Sequence, residues 1–188
     1  GVRGSGTVFF SGCPLGCVFC QNNNIANAKV GKKISVERLA EIFLEQQDRG
    51  ALNINLVTPT HYIPQIIKAL ELSKSQGMNL PVVYNSGGYE KAEALKLLDG
   101  LVDVYLPDMK YMSPVLAGKY SKAQDYPAAA MAALAEMFRQ VGTPVFEVEK
   151  PDDNTATDEA GLIMKRGMIV RHLVLPGCTA DSKAVVKY

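Results

Sequence analysis

The sequence lacks what a membrane span, a nucleic-acid surface or a disulfide framework would need. No apolar run approaches the ~18 residues that cross a bilayer, and no charged segment followed by an apolar stretch marks a secretory signal. A cytoplasmic protein is therefore expected, with no membrane partner. Lysines and arginines number 20 against 19 acidic residues, a formal net charge of +1, so the bulk positive field that grips nucleic acid is missing. Nucleic acid is not an expected partner. Cysteines number only four; Cys13, Cys17 and Cys20 fall within eight positions and Cys178 stands near the other end. A disulfide scaffold would spread an even set through a smaller, loop-rich chain, whereas a tight cluster points to metal ligation. Position 1 is Gly rather than Met, and a strand-like run begins within a few residues of it, so an N-terminal portion is expected to be absent.

What is present suits one mixed α/β domain over residues 1–188: 47% hydrophobic and 21% charged residues are enough to bury a sizeable core. Val8 to Ser11, Asn53 to Val57, Val82 to Asn85, Val102 to Leu106 and Val170 to Leu175 are short apolar runs of the kind that form strands buried on both faces. Helical periodicity lies between them. Ser35 is placed to cap a helix bearing Val36, Leu39, Ala40 and Phe43, and Thr60 to cap one bearing Ile63, Ile66 and Leu70. Further helices are expected from Tyr89 to Leu98 and from Pro127 to Val141, with a short piece near Pro114 to Tyr120. Strands joined by crossover helices are parallel, which leaves a doubly wound sheet or a β/α barrel. A full eight-unit barrel takes about 250 residues, so at most a partial one fits. Val145 to Val148 and Leu162 to Lys165 read as a small hairpin insertion around the acidic loop Lys150 to Ala160.

The chemistry begins at Gly12-Cys13-Pro14-Leu15-Gly16-Cys17-Val18-Phe19-Cys20, directly after the first strand. Gly12, Pro14 and Gly16 supply the tight backbone that lets three thiolates turn inward on one loop. Three cysteines hold three irons of a four-iron, four-sulfur cluster and leave the fourth open, whereas electron-transfer clusters are normally capped by cysteine throughout. A zinc-stabilised, noncatalytic binding domain is the competing reading; it needs a fourth ligand, from Cys178, His61 or His172.

The C-x3-C-x2-C pattern, with Phe19 before the third cysteine, resembles the radical S-adenosylmethionine (radical SAM) superfamily. The stretch from Gly6 to Asn22 is similar to the branch typified by the pyruvate formate-lyase activating enzyme, and to uncharacterised activating-enzyme-like proteins within it. Asn53 to His61, Val83 to Tyr89, Asp103 to Tyr111 and Arg171 to Gly177 carry the likeness along the chain. The resemblance implies a partial (β/α)6 TIM-like barrel of parallel strands, truncated before its last strand where Tyr188 ends the chain. It implies an oxidoreductase that cleaves S-adenosylmethionine at a [4Fe-4S] cluster to a 5′-deoxyadenosyl radical, with reduced flavodoxin or ferredoxin as electron donor and a glycyl radical enzyme as target. Modification of a small molecule, peptide or RNA is the alternative within the superfamily. Cys13, Cys17 and Cys20 match the cluster ligands; Phe19, Gln21 and Asn22 match their neighbours at the cofactor. Thr58-Pro59-Thr60-His61 stands where the family usually carries a Gly-Gly-Glu-type motif for the methionine amine, so Thr58 and Thr60 are the candidates there. Asn85 and Ser86 match a polar position at the third strand's end, and Asp108 and Lys110 match a family Asp-x-Lys that meets the methionine carboxylate. An open flank beside the fifth strand would favour a homodimer.

Overall fold

Valine- and isoleucine-rich runs separated by amphipathic segments fold here as parallel strands with crossover helices. The computed structural model describes residues 4–148 and 162–188. In chain order it has β1 (Gly6–Phe9), α1 (Asn23–Ala26), α2 (Val36–Asp48), β2 (Ile54–Val57), α3 (Ile63–Ser75), β3 (Val82–Ser86), α4 (Ala92–Lys96), β4 (Val104–Pro107), α5 (Pro114–Ser121), α6 (Tyr126–Val141), β5 (Val145–Val148), β6 (Leu162–Met168) and α7 (Thr179–Lys187). The sheet order is β1-β2-β3-β4-β6-β5. Neighbours from β1 to β4, and then β6, are parallel, while β5 pairs antiparallel with β6. This is the expected α/β fold, a partial TIM-like barrel. No helix among the described residues is long and apolar enough to cross a membrane.

Strand pleating sorts the side chains onto two faces. Val8, Leu56, Tyr84 and Tyr105 stand in register across four strands and face the helices. Leu56, Tyr84 and Tyr105 are fully buried there, with Phe43, Ile66 and Leu95 supplied by the helices. Tyr105 donates to Gln140 Oε1 on α6 at 2.5 Å, which satisfies its buried hydroxyl. The alternate row, Phe9, Val57, Asn85 and Leu106, lines the opposite face. A residue's parity along its strand therefore decides whether it reaches the helix layer or the inside of the curved sheet.

Four expectations are corrected. The run Val170 to Leu175 is not the fifth strand. Its place is taken by β6, whose Gly167 and Met168 pair with Val104 and Tyr105. The ladder then continues only through Ile169 and Arg171, whose amides donate to the Tyr105 and Pro107 carbonyls, while the Met109 amide donates to the Arg171 carbonyl. Beyond that point the next acceptor on this side, the Met109 carbonyl, is taken by His172 Nδ1 at 2.7 Å, and Leu173 and Val174 are left exposed. The hairpin is present as β5 and β6, but it is not set apart from the barrel, since β6 is itself the fifth parallel strand. The loop assigned to Lys150 to Ala160 lies outside the described residues. Ser35 caps α2 by accepting from the Arg38 amide at 3.1 Å, whereas Thr60 caps nothing and sits in a 3-10 turn, Thr60–Tyr62, that leads into α3. The third helix spans only Ala92–Lys96, because Gly88 to Glu90 are used in contacts at the strand ends.

One of those positions, Gly88, is where the loop after β3 packs directly on the backbone at the end of β4. Its φ is +76°, and a Cβ there would lie 2.1 Å from the Asp108 carbonyl oxygen. Gly50, past the end of α2, has the same φ of +76° with nothing within 4 Å. Alanine at either site carries the left-handed backbone cost of about 1–3 kcal/mol, but only Gly88→Ala adds the backbone clash. Urea unfolding is expected to show a clearly larger loss for Gly88→Ala than for Gly50→Ala; equal losses would contradict the close approach.

Candidate active site

The cysteine loop leaves β1 through Gly12, whose φ of +90° turns the chain sharply. Its backbone is held at three points. The Gly12 amide donates to Ile25 at the end of the α1 segment, and the amides of Gly16 and Val18 donate to Ser121 and Tyr120 at the end of α5. Leu15 is buried and anchors the loop in a second core cluster with Met109, Tyr111 and Tyr126, against which Cys13, Cys17 and Phe19 pack. The thiols of Cys13, Cys17 and Cys20 are free and partly exposed. Burial pushes the Cys13 thiol up; the nearby Cys17 and Cys20 push the same way, while Lys110 favours its thiolate. Three sulfurs that share a neighbourhood and repel as anions need a cation or a metal cluster between them, so this donor set fits an iron–sulfur cluster.

A single-ion site is not offered. Among the described residues no three His, Cys, Asp or Glu side chains gather as ligands of one metal ion. The two histidines give the zinc reading no support. His172 is committed elsewhere: its Nδ1 lies 2.7 Å from the Met109 carbonyl, to which it must donate, leaving Nε2 to accept from Ser182 Oγ at 2.9 Å. His61 is exposed in the 3-10 turn, and Cys178 stands at the start of α7.

The strand ends bring charges to the loop. Lys110 Nζ donates to Asp108 Oδ2 at 2.6 Å and stands 6.0 Å from the centre of the Phe19 ring. Arg171 Nη2 reaches both Asp108 Oδ1 and Asn85 Oδ1, each at 2.8 Å. The Asp108 and Lys110 side chains are 21% and 15% exposed, so the pair is not an open surface contact. One carboxylate faces two cations, which leaves one net positive charge. Arg171 Nε is also buried without a partner, an unmet donor beside that excess charge. Arg171 lies in one of the stretches that carry the family likeness but receives no role from the sequence alone, and its part becomes visible only when β6 docks beside β4.

The other expected residues divide. Asn85 is drawn into the charged group, where its Oδ1 accepts from Arg171. Ser86 is 3% exposed and points to the helix side, where its Oγ accepts from the Gly88 amide at 3.2 Å. It is not brought to the cysteine loop. Gln21 and Asn22 follow the third cysteine with exposed side chains that make no hydrogen bond among the described residues. Thr58 holds a φ of +58° and its amide donates to the Asn85 carbonyl at 2.9 Å. Thr60 turns away from the loop and donates to Glu90 Oε1 at 2.7 Å. Glu90, absent from the sequence reading, is 5% exposed. It ties the turn after β2 to the loop after β3.

These features meet at the C-terminal ends of parallel strands, where sites of β/α barrels are built. Residues 7–150 match the Radical SAM superfamily, and the chain belongs to that superfamily. It is also 32% identical over 181 residues to "Uncharacterized protein MJ0674" of Methanocaldococcus jannaschii, an alignment covering 92% of this chain and 45% of that protein. The chain thus spans less than half the length of this relative. Membership implies an iron–sulfur cluster and S-adenosylmethionine as cofactors.

Glu90 gives the site region a pH signature. Burial raises its carboxyl from 4.5 to about 7, opposed by the hydroxyls of Thr60, Ser86 and Tyr84; its Oε2 nevertheless has no partner at hydrogen-bonding geometry. Between those two values the unfolded chain releases a proton that the folded chain keeps, so stability falls as pH rises toward about 7 and the penalty is constant above it. Glu90→Gln keeps the oxygen that accepts from Thr60 and removes the titration. The wild type is expected to lose stability relative to this variant as pH rises from 4.5 to about 7, measured by denaturation at both ends of that window. A pH-independent gap would refute the raised value.

Proposed function

We propose that this chain holds a [4Fe-4S] cluster through Cys13, Cys17 and Cys20 and binds S-adenosylmethionine against the charged group at the ends of β3, β4 and β6, as an enzyme of the activating type. The observation that carries the proposal is the adjacency of a pinned three-cysteine loop and a largely buried lysine–aspartate pair, with Lys110 close to both Phe19 and Cys13. When bound and reduced, the cluster supplies the electron that cleaves the sulfonium bond, giving methionine and a 5′-deoxyadenosyl radical.

The chain's own residues do the positioning. Lys110 and Arg171 present the net positive charge that suits a carboxylate, with Asp108 and Asn85 fixing where those cations sit. Phe19 covers one side of Lys110 with an apolar ring. The turn at Thr58 offers backbone carbonyls where the family uses a Gly-Gly-Glu-type motif for the methionine amine. Leu15, Met109 and Tyr126 close the floor beneath the loop and keep water from below. Reduced flavodoxin or ferredoxin is the proposed electron donor, and a glycine on a partner protein the proposed hydrogen donor. The similarity of Gly6 to Asn22 to the pyruvate formate-lyase activating branch favours that target over a small molecule, peptide or RNA.

Anaerobic reconstitution with iron and sulfide, followed by dithionite reduction with S-adenosylmethionine, is expected to yield 5′-deoxyadenosine. Cys13→Ala, Cys17→Ala or Cys20→Ala is expected to abolish that product while leaving a cooperative unfolding transition; product from any of them would remove the cluster assignment. Lys110→Ala should weaken S-adenosylmethionine binding by about tenfold or more, the worth of a charge-assisted hydrogen bond, as read by equilibrium titration. Unchanged affinity would remove Lys110 from the site. Transfer of radical character to a glycyl radical protein, read by electron paramagnetic resonance, separates the activating reading from the alternatives.

A further inference from the structure

The three cysteines are not equivalent in their surroundings. The end of α5 brackets Cys17 from both sides, with the Gly16 amide on the Ser121 carbonyl at 3.0 Å and the Val18 amide on the Tyr120 carbonyl at 2.9 Å. Lys122 closes the helix in the left-handed region, at φ +57°, and lays its stem against Gly16. Between those two backbone bonds, Cys17 Sγ lies 2.9 Å from Ser121 Oγ. Ser121 Oγ in turn lies 2.9 Å from the Tyr111 hydroxyl. Ser121 is 0% and Tyr111 1% exposed, so water replaces neither partner. The Cys13 sulfur is met by the Leu15 backbone amide, and among the described residues neither Cys13 nor Cys20 has a hydrogen bond to another side chain.

The direction of this chain of bonds follows from protonation. A free thiol can donate to Ser121. A sulfur bound to iron is a thiolate with no hydrogen and only accepts. The Ser121 hydroxyl must then give its hydrogen to sulfur, which leaves its lone pairs for Tyr111 to donate into. Tyr111 can always donate, because burial pushes its phenol up to about 12.

We propose that Tyr111 and Ser121 form a one-way hydrogen-bond relay onto the Cys17 sulfur that raises the reduction potential of the cluster. The relay rests on the cluster reading given above. Reduction adds one negative charge that is shared by the sulfurs, and a donor aimed at one of them stabilises the reduced form more than the oxidised. The site beneath Cys17 is dry, so the effect is weakly screened, and the Tyr111 bond polarises Ser121 and strengthens its donation. Tyr111 and Ser121 are positioning residues; they act through Cys17.

The test is the midpoint potential of the reconstituted full chain, titrated with redox dyes and read by electron paramagnetic resonance. Ser121→Ala is expected to make the cluster about tenfold harder to reduce, a midpoint lower by ~59 mV for a one-electron couple. Tyr111→Phe should move it the same way by less, and the double variant no further than Ser121→Ala, since Tyr111 works only through Ser121. Ser121→Thr, which keeps a hydroxyl, should restore the wild-type value. A merely structural role would alter melting temperature or iron content and leave the potential alone. If Ser121→Ala takes up no iron, the Tyr111→Phe and Ser121→Thr pair still decides the matter. Iron-loaded Ser121→Ala or Tyr111→Phe with the wild-type potential overturns the relay alone, as does a Tyr111→Phe effect that adds fully in the double variant. A wild-type chain that assembles no iron–sulfur cluster overturns the underlying reading and the relay with it.

Discussion

The hydroxyl of Tyr126 is the constraint on which the arrangement at the strand ends depends. It accepts from the Lys110 amide at 2.9 Å and shares its hydrogen between the carbonyls of Gly87 at 2.9 Å and Asp108 at 2.8 Å. One buried oxygen thereby joins the loop after β3, the end of β4 and the first residue of α6. The ring is held between Tyr89, stacked at 6.0 Å, and Tyr111, edge-on at 5.7 Å. Without that hydroxyl three backbone groups would lose their partner in a dry place, and an unmet buried polar group costs about 1–3 kcal/mol. The direction in which Lys110 leaves the strand is set at this point.

Alanines on α6 explain how the tyrosine gets so close. Ala130 and Ala133 are fully buried, and their small side chains let the helix lie near the sheet while Tyr126 reaches past its end. The same helix carries Gln140, whose amide donates to the Leu95 carbonyl at 2.8 Å while its oxygen accepts from Tyr105. α6 therefore organises both faces of the domain: its first turn orders the strand ends, and its last turn orders the helix-side core. The cysteine loop is attached to this frame at second hand, through Leu15 and the end of α5.

What could be read along the chain was whatever is local in it. The cysteine loop and the Asp108 and Lys110 pair are short patterns whose chemistry lies in neighbouring residues. The parallel strands announced themselves as apolar runs bounded by turn residues. Arg171, Glu90, Ser121 and Tyr111 escaped because each takes its meaning from a distant partner. Arg171 meets Asn85 across 86 positions, Cys17 meets Ser121 across 104, and Thr60 meets Glu90 across 30. The fifth strand was misplaced for a related reason. Val170 to Leu175 has the composition of a strand, but pairing is decided by where β4 stops offering backbone groups, and composition does not carry that. Ser86 was misjudged by one step of pleat, which separates the inside of the barrel from its helix layer.

Thr58 holds the turn after β2 in a conformation that side chains rarely adopt, at φ +58°. A β-branched residue in the left-handed region is a rare and strained choice, and a glycine would occupy this conformation freely. The turn after β2 thus stores about 1–3 kcal/mol of backbone strain, held in place because the Thr58 amide is fixed on the Asn85 carbonyl and the Thr60 hydroxyl on Glu90. Relaxing that strain means releasing both bonds, so the end of β2 and the loop after β3 are bound to move together.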